Sequence, residues 1–302
     1  MLLELKNIKK SFPVTGGFLA RPRSFVRAVD GVDLALAPGE NLGLVGESGC
    51  GKTTLGRIIL KLIAPDSGTI AFNGYDTTTV SDRDFRQYRK QMQMVFQDPY
   101  SSLDPRFTVY RILEEAMTLE WKKYPTPAKR RERAARLLEA VGLDPEMMER
   151  FPHEFSGGER QRIAIARALV LSPKLLILDE AVSSLDVLIQ NQILDLLDGL
   201  QKEFQVTYLF ISHNLRVVAR ISRRIAVMYR GRIVESAPTR ELLSNPLHPY
   251  TKELLAAAVD YKASAREKVI PIAPHARLVS KATGIWSWLI DGQLRRSFCD
   301  EA

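Results

Sequence analysis

The sequence predicts an α/β fold with a mixed, mostly parallel sheet, an antiparallel β edge and a helical insert. Three observations lead to this prediction. A short apolar strand, a glycine-rich loop and an amphipathic helix follow one another over Asn41–Ile63. Strand patterns at Leu175–Leu178 and Val206–Ile211 flank a helix predicted over about Val187–Phe204. Between these two regions, residues 98–171 show helices and loops but no good strand pattern.

The composition is that of a globular protein with a substantial core. The 302 residues suffice for one large or two small domains, and 45% of them are hydrophobic. The net charge of +8 permits an acidic, nucleotide, nucleic-acid or membrane partner but selects none of them. Only Cys50 and Cys299 are present, which excludes a disulfide scaffold and suggests a reducing compartment. No signal peptide and no apolar run of about 20 residues is visible, so we expect a soluble or peripheral protein.

The N-terminal third is predicted to be largely β-structure. Leu2–Phe12 has the pattern of an edge strand, and Ala28–Ala37 alternates apolar and polar residues like a half-buried strand. A further strand is predicted at Thr69–Asn73, and Met92–Phe96 has the pattern of a buried strand. Ser81, followed three residues later by an aspartate, resembles a capping box, so a short helix is expected there.

Later segments are predicted with the same rules. Pro127–Val141 has a helical pattern, and its basic residues permit a nucleic-acid surface. A solvated helix face is the favoured interpretation, because no aromatic residues are interleaved with the basic ones. Arg224–Glu235 has the pattern of a hairpin. After about Pro249 the chain is predicted to be helical for a while and then shows little pattern.

The glycine-rich loop consists of Gly46, Glu47, Ser48, Gly49, Cys50, Gly51, Lys52 and Thr53. It matches the pattern Gly, four residues, Gly, Lys and then Ser or Thr, and it lies between a strand and a helix. In such a loop, backbone N–H groups and the helix N-terminus cradle phosphate oxygens. We therefore assign Lys52 to the β- and γ-phosphates of a nucleotide and the Thr53 hydroxyl to Mg²⁺, and include Thr54 in the site. The alternative is a chance glycine turn.

The thiol of Cys50 allows two interpretations. Its position near Lys52 and a helix N-terminus predicts a lowered thiol pKa. Equally, Cys50 can be a small buried residue that contributes only its backbone.

A second set of candidate residues follows the apolar strand Leu175–Leu178. Asp179 and Glu180 lie where an α/β sheet places ligand chemistry, at the carboxyl end of a strand. We assign Asp179 to Mg²⁺, bound through water, and Glu180 to the orientation or deprotonation of an attacking water. The alternative is an acidic strand end without a role. Farther upstream, Ser156 is a natural N-cap, and the glycines that follow it permit close approach to an anion.

With the loop and the acidic pair, the sequence Ser156-Gly157-Gly158-Glu159 resembles the signature motif of ATP-binding cassette (ABC) ATPases. Gln97 resembles the Q-loop glutamine of that family, which touches the metal and senses the transmembrane partner. Ser183–Asp186 resembles the D-loop, and His213 resembles the switch histidine near the γ-phosphate. Phe12 lies where the family stacks an aromatic ring on adenine. Taken alone, His213 and Phe12 would be an ordinary strand-end histidine and an ordinary core residue.

Three stretches resemble the oligopeptide/dipeptide importer branch of this family. They are Phe96–Arg106, Ser11–Val14 with the loop after it, and His248–Thr251. Two departures, Glu159 in place of Gln and Ala181 in place of Pro, are expected to be tolerated. The tail from about residue 259 matches no pattern, and its single cysteine excludes an iron–sulfur cluster, which needs several thiolates.

The resemblance implies a P-loop NTPase of the ABC cassette type that couples ATP hydrolysis to uptake of peptides or similar small solutes. Residues 1–97 and 172–237 are expected to form a RecA-like ATP-binding core, 98–171 a helical subdomain with the signature motif, and 238–302 a C-terminal extension. The implied catalytic residues are Glu180, His213, Lys52 and Gln97, and the implied metal residues are Thr53, Gln97 and Asp179. The implied cofactors are ATP and Mg²⁺.

The implied partners are a second cassette, identical or homologous, membrane permease subunits and, indirectly, an extracytoplasmic solute-binding protein. No nucleic acid is expected, and the protein is expected peripherally at the cytoplasmic face of the inner membrane. Two alternatives are a cassette acting on nucleic acid or the ribosome and a small-molecule kinase. Cassettes that act on nucleic acid or the ribosome often have two cassettes or a long coiled-coil insert, whereas this chain has one phosphate loop and no sustained heptads. The signature motif and His213 count against a kinase.

Overall fold

The structure is a computed structural model that describes residues 1–14, 24–98, 102–257, 277–282, 285–290 and 293–298, with side chains up to residue 257. The chain divides into two compact units, Met1–Leu255 and Ala256–Ala302. Residue 238, where the C-terminal extension was expected to begin, lies inside the first unit. The division of that unit into a core and a helical subdomain stays a prediction.

A six-stranded sheet forms the centre of the first unit, with the order β10-β9-β3-β8-β7-β6. Its strands are β3 (Asn41–Val45), β6 (Met92–Val95), β7 (Leu175–Asp179), β8 (Thr207–Ser212), β9 (Arg224–Tyr229) and β10 (Arg232–Pro238). All neighbouring strands are parallel except the hairpin of β9 and β10. Every residue of β3, β7 and β8 is buried, as expected for parallel strands covered on both faces.

A separate antiparallel sheet has the order β2-β1-β4-β5. Its strands are β1 (Leu3–Val14), β2 (Ser24–Leu36), β4 (Ser67–Phe72) and β5 (Tyr75–Asp76). Together with the parallel strands, it confirms the predicted mixed α/β architecture. The assignment of Leu2–Phe12 to an edge strand was wrong, because Leu3 pairs with both Leu36 and Phe72. Leu3 is fully buried at this central position.

The helices of the first unit are α1 (Lys52–Ile59), α2 (Asp82–Arg89), α3 (Val109–Met117), α4 (Pro127–Ala140), α5 (Gly157–Leu169), α6 (Val187–Phe204), α7 (Leu215–Ile221) and α8 (Thr239–Ser244). Residues 249–257 are also helical. Helix α1 ends earlier than Ile63, because Lys61 adopts a left-handed backbone with φ 54° that cannot continue a helix. Side-chain caps fix several starts; Ser81, for example, accepts a hydrogen bond from the N–H of Asp84 at 3.2 Å.

Two apolar cores hold the carboxyl ends of the central strands in place. Leu176 and Leu178 of β7 face a core shared with the helical region, whereas Leu175 and Ile177 face a core shared with α1 and the antiparallel sheet. This alternation follows from the two-residue period of a strand. All four side chains are fully buried, and each contributes about 1.5–3 kcal/mol of burial free energy. The end of β7, where Asp179 lies, is therefore fixed from both faces.

The second unit contains a three-stranded antiparallel sheet. Its strands are β11 (Arg277–Ala282), β12 (Ile285–Ile290) and β13 (Gln293–Phe298), in the order β11-β12-β13. The sequence analysis found little pattern here and did not predict these strands. Within the part of the chain that the structure describes, no helix is long and apolar enough to cross a membrane.

Candidate functional site

The glycine-rich loop connects β3 to α1 as predicted. Gly51 has φ 112°, and a Cβ atom there would lie 2.0 Å from the carbonyl oxygen of Ala28. Only glycine fits this turn, because a side chain would be strained and would collide with the backbone behind it. Ser48 and Gly49 are exposed, so the front of the loop is open to a ligand.

Lys52 lies in the centre of the loop and is only 4% exposed. Its Nζ donates to the carbonyl oxygens of Gly46 at 2.7 Å and Glu47 at 2.8 Å. The loop thus folds around its own lysine. These two bonds hold the ammonium inside the loop, where the oxygens of a bound anion can take the place of a carbonyl oxygen as hydrogen-bond acceptor.

The predicted lowering of the Cys50 pKa was wrong. Cys50 is 8% exposed, and burial raises its pKa despite the attraction of the nearby Lys52 ammonium. Loss of hydration disfavours the thiolate more than the neighbouring charge favours it. The structure therefore favours the other interpretation, in which Cys50 fills space and contributes its backbone; its N–H donates to Glu47 O at 3.3 Å.

The predicted metal residues come together at the start of α1 and the end of β7. The Thr53 hydroxyl donates to Asp179 Oδ1 at 3.0 Å, and Asp179 is 4% exposed. Burial raises the pKa of the Asp179 carboxyl; the Glu180 charge adds to this rise and the bond from Thr53 opposes it. A cation beside the carboxylate would favour its charged form. Hydroxyl, carboxylate and amide oxygens are ligands that Mg²⁺ accepts, so Thr53, Asp179 and Gln97 fit such an ion.

Glu180 and His213 face each other across neighbouring strands. Glu180 Oε1 lies 3.0 Å from His213 Nδ1, with the Glu180 side chain 13% exposed and that of His213 50% exposed. Glu180 has a left-handed backbone with φ 49°, held by its N–H donating to Ile211 O at 2.9 Å. Such a backbone is uncommon for residues other than glycine, although Lys61 after the end of α1 shares it.

Two neighbouring cavities connect these groups. One, of about 240 Å³, is lined by Ser48, Gly49, Gly51, Lys52, Thr53, Thr54, Gln97 and Glu180. The other, of about 380 Å³, is lined by Thr53, Arg57, Phe96, Gln97, Asp98, Ser102, Arg167 and Asp179. Thr53 and Gln97 border both cavities. The structure thus places the glycine-rich loop, the predicted metal residues and Glu180 around one region.

The signature residues lie outside the linings of these two cavities. Ser156 caps α5, and its hydroxyl donates to Glu159 Oε2 at 2.7 Å while accepting from the Glu159 N–H at 3.3 Å. The bond from Ser156 is the main cause of a lowered Glu159 pKa. A Cβ atom on Gly158 would lie 2.6 Å from Ile189, so this glycine lets α5 pack closely against α6. Within this chain, the signature residues therefore lie outside the cavity that Lys52 lines.

Phe12 also lies outside both linings. It is 38% exposed on β1, pairs with Val26 of β2 and has the Lys10 Nζ at 5.7 Å from its ring centroid. An exposed ring on a strand is available for stacking. The structure contradicts the alternative that Phe12 is an ordinary core residue.

Sequence reasoning gave no role at the site to Arg57, Arg167 or Tyr250, although Tyr250 lies in the segment His248–Thr251 that resembles the importer branch. Arg57 follows Thr53 by four residues on α1, and this spacing on one helix face could have identified it. Arg167 lies on α5, the helix that begins with the signature residues, and lines the larger cavity. Burial lowers the pKa of its guanidinium. Tyr250 Oη accepts the N–H of Glu47 at 2.9 Å, a contact that no local pattern announces.

Comparisons with known proteins agree with this geometry. Residues 29–183 match the family model described as ABC transporter. Residues 234–284 match the oligopeptide/dipeptide transporter C-terminal region, so part of the tail that showed no pattern does belong to a known family region. The chain is also similar to cbiO1 from Clostridium perfringens, part of the ABC transporter complex cbiONQ, with a TM-score of 0.70, 25% identity and coverage of 88% of this chain and 95% of that one.

A second solved structure is the cassette MJ0796 in a dimeric post-hydrolysis state bound to ADP and Pi. Its TM-score is 0.67 at 28% identity, covering 79% of this chain and 99% of that one. Among curated proteins, the chain is 51% identical to the oligopeptide transport ATP-binding protein AppF of Bacillus subtilis (strain 168), over 85% of this chain and 78% of the relative.

The chain is also 47% identical to the glutathione import ATP-binding protein GsiA of Pectobacterium atrosepticum, over 89% of this chain but only 43% of that longer protein. These relatives are transport proteins, so they do not support a cassette that acts on nucleic acid or the ribosome. The family match, the phosphate loop and the acidic strand end agree. The chain therefore belongs to the ABC transporter family, in its oligopeptide/dipeptide branch.

Proposed function

We propose that this protein is the ATP-hydrolysing subunit of an importer that takes up peptides or similar small solutes through a membrane permease. The observation that carries the proposal is the single cavity lined by Lys52, Thr53, Gln97 and Glu180. The 51% identity to an oligopeptide transport ATP-binding protein supports it. Glutathione, named for another relative, is itself a small peptide, which supports the same class of solute.

The nucleotide would be held by its phosphates. The Lys52 ammonium has three donors, so it can keep its bond to the Gly46 carbonyl and turn its other N–H groups to the β- and γ-phosphates, while the loop N–H groups bind the remaining oxygens. Thr53, Asp179 and Gln97 would hold Mg²⁺, which supplies charge neutralisation on the phosphates. The Phe12 ring would stack on the adenine base.

Hydrolysis needs a base beside the attacking water. Glu180 borders the cavity that Lys52 lines, and its carboxylate contacts His213. We assign Glu180 to accept the proton of the water and His213 to orient Glu180 and steady the transferring phosphoryl group. Positioning and charge neutralisation account for most of the catalysis in such reactions.

Two further roles require partners. Ser156–Glu159 begin a helix whose N–H groups suit an anion, yet they do not line the cavity of their own chain. A second cassette placed head to tail would supply these residues and give two equivalent composite sites. Gln97 and the following loop would transmit closure to a permease, and a protein with this role would lie peripherally at the cytoplasmic face of the inner membrane. A solute-binding protein would act only indirectly.

Reconstitution of the full complex tests this proposal. The chain is purified with its permease and partner cassette, placed in liposomes, and assayed for ATP hydrolysis and uptake of labelled di- to pentapeptides. We expect hydrolysis to require Mg²⁺, to accompany uptake, and to be insensitive to added RNA. Failure to co-purify with any permease, or stimulation by RNA instead of peptide, would overturn the assignment.

A further inference from the structure

Residues 247–251 form a segment that is anchored independently of the phosphate loop. The Glu235 carboxylate accepts the backbone N–H groups of Leu247 at 2.9 Å and His248 at 3.0 Å. His248 Nδ1 accepts the N–H of Tyr250 at 3.2 Å. These bonds fix the backbone just before the helix at 249–257 and determine where the Tyr250 side chain begins.

The Tyr250 ring is buried next to the glycine-rich loop, and its hydroxyl contacts that loop. It is 6% exposed and packs on the ring of Tyr229, with 4.2 Å between centroids and an interplanar angle of 32°. Burial raises the pKa of the Tyr250 phenol, which therefore stays neutral near pH 7. The position of its hydroxyl is set by packing as well as by hydrogen bonding, and the oxygen is available as an acceptor.

The contact with the loop occurs at one peptide unit. Tyr250 Oη accepts the N–H of Glu47 at 2.9 Å, and the carbonyl of the same peptide unit, that of Gly46, accepts from Lys52 Nζ at 2.7 Å. A peptide unit is planar and rigid, so the direction of its N–H fixes the direction of its C=O. Tyr250 and Lys52 are thus linked through a single rigid plane.

We propose that Tyr250 is a positioning residue that holds the Gly46–Glu47 peptide unit so that the Lys52 ammonium faces the nucleotide phosphates. This inference rests on the proposed assignment of residues 46–53 to phosphate binding. Without the hydroxyl, the peptide unit can rotate, and part of the binding energy of the nucleotide is spent on ordering the loop. Glu180 and His213 lie on other strand ends, so the rate at saturating ATP should be spared.

The test compares two single-atom deletions in the full chain. Tyr250→Phe removes the hydroxyl that contacts the loop. Tyr208→Phe is the matched control, because Tyr208 is also buried but its hydroxyl donates to Leu197 O at 3.0 Å, away from the loop. Both variants lose one hydrogen bond made by a buried tyrosine, so both should unfold at a lower temperature.

The affinity for Mg-ATP distinguishes the two variants. We expect Tyr250→Phe to raise the Kd of Mg-ATP, measured with a fluorescent analogue and by competition, about threefold to tenfold, the value of one neutral hydrogen bond. In the reconstituted complex it should raise KM by a similar factor with kcat nearly unchanged. Tyr208→Phe should leave Kd and KM at wild-type values.

Lys52→Ala separates failure of this inference from failure of the proposed site. If Lys52→Ala weakens Mg-ATP binding strongly and Tyr250→Phe matches the control, the positioning role of Tyr250 is wrong. If Lys52→Ala leaves binding intact, the assignment of the loop itself is wrong. A fall in kcat at unchanged KM for Tyr250→Phe would also contradict the inference, because it would place the effect on the chemical step.

Discussion

Replacement of Glu180 by Gln removes the proposed general base but keeps the geometry of the site. Glu180 Oε1 lies 3.0 Å from His213 Nδ1, and the side chain is mostly buried. Glutamine has the same length, and its amide oxygen can accept from a protonated Nδ1 at that distance. The substitution therefore removes the negative charge and the basic oxygen while His213 keeps a partner.

The expected magnitude follows from the role. General-base assistance is worth about 10²- to 10⁴-fold in rate, or about 2.7–5.5 kcal/mol of activation free energy. Binding of ATP should be retained, because Lys52 and the loop N–H groups are untouched. Removal of one negative charge beside the phosphates should favour the bound state.

The assay is single-turnover ATP hydrolysis by the purified complex, with the Kd for Mg-ATP measured on the same preparation. Glu203→Gln is the matched control, since Glu203 is an exposed acid near the end of α6. His213→Ala, alone and with Glu180→Gln, completes a double-mutant cycle. The losses should be far from additive, because the two side chains act as a unit. Near wild-type turnover in the Glu180→Gln complex would refute the reasoning.

Three other predictions concern the shared sites, Cys50 and the C-terminal tail. Mixing Lys52→Ala chains with Ser156→Arg chains should restore ATP-driven dimerisation, because both lesions fall in one of the two sites of a mixed dimer; no rescue in crosslinked mixed dimers would contradict shared sites. In a Cys299→Ser background, Cys50 should react with maleimide at pH 7 much more slowly in native than in denatured protein, and equal rates would contradict its burial and raised pKa. Deletion from Val259 onward should leave Mg-ATP binding by a folded truncation unchanged in titrations.

The phosphate loop and its flanking elements were predictable because their signals are local. Strand β3, the glycines and the start of α1 lie within a few turns of one another, and each has its own pattern. The end of α1 was missed because Leu62 and Ile63 continue the apolar pattern after Lys61 has already left the helical region. Apolar spacing predicts a buried helix face, but Leu62 is 52% exposed and Ile63 is only partly buried, so the apolar residues after Lys61 do not mark a continued helix.

The errors at the site concern long-range packing. The position of Cys50 beside Lys52 suggested a lowered pKa, but the sequence does not show how completely the strands and turns behind the loop exclude water. The edge assignment of β1 failed for a similar reason, since pairing partners on both sides are set by β2 and β4. The contact of Tyr250 with Glu47 spans 203 residues, a separation at which periodicity carries no information.

The support behind the phosphate loop has a consequence for folding during synthesis. Besides the bond from Glu47 to Tyr250, the N–H of Gly231 donates to Cys50 O at 3.0 Å, and Gly231 O accepts from Asp30 at 2.8 Å. A ribosome completes the motif early but supplies these supports about 200 residues later, which takes about 10–40 s at about 5–20 residues per second. A nascent chain that ends before the β9–β10 turn contains the complete glycine-rich loop, residues 46–53, but lacks Gly231 and Tyr250, which hydrogen-bond to it. Acquisition of nucleotide affinity should therefore report that the last strands of the sheet have docked.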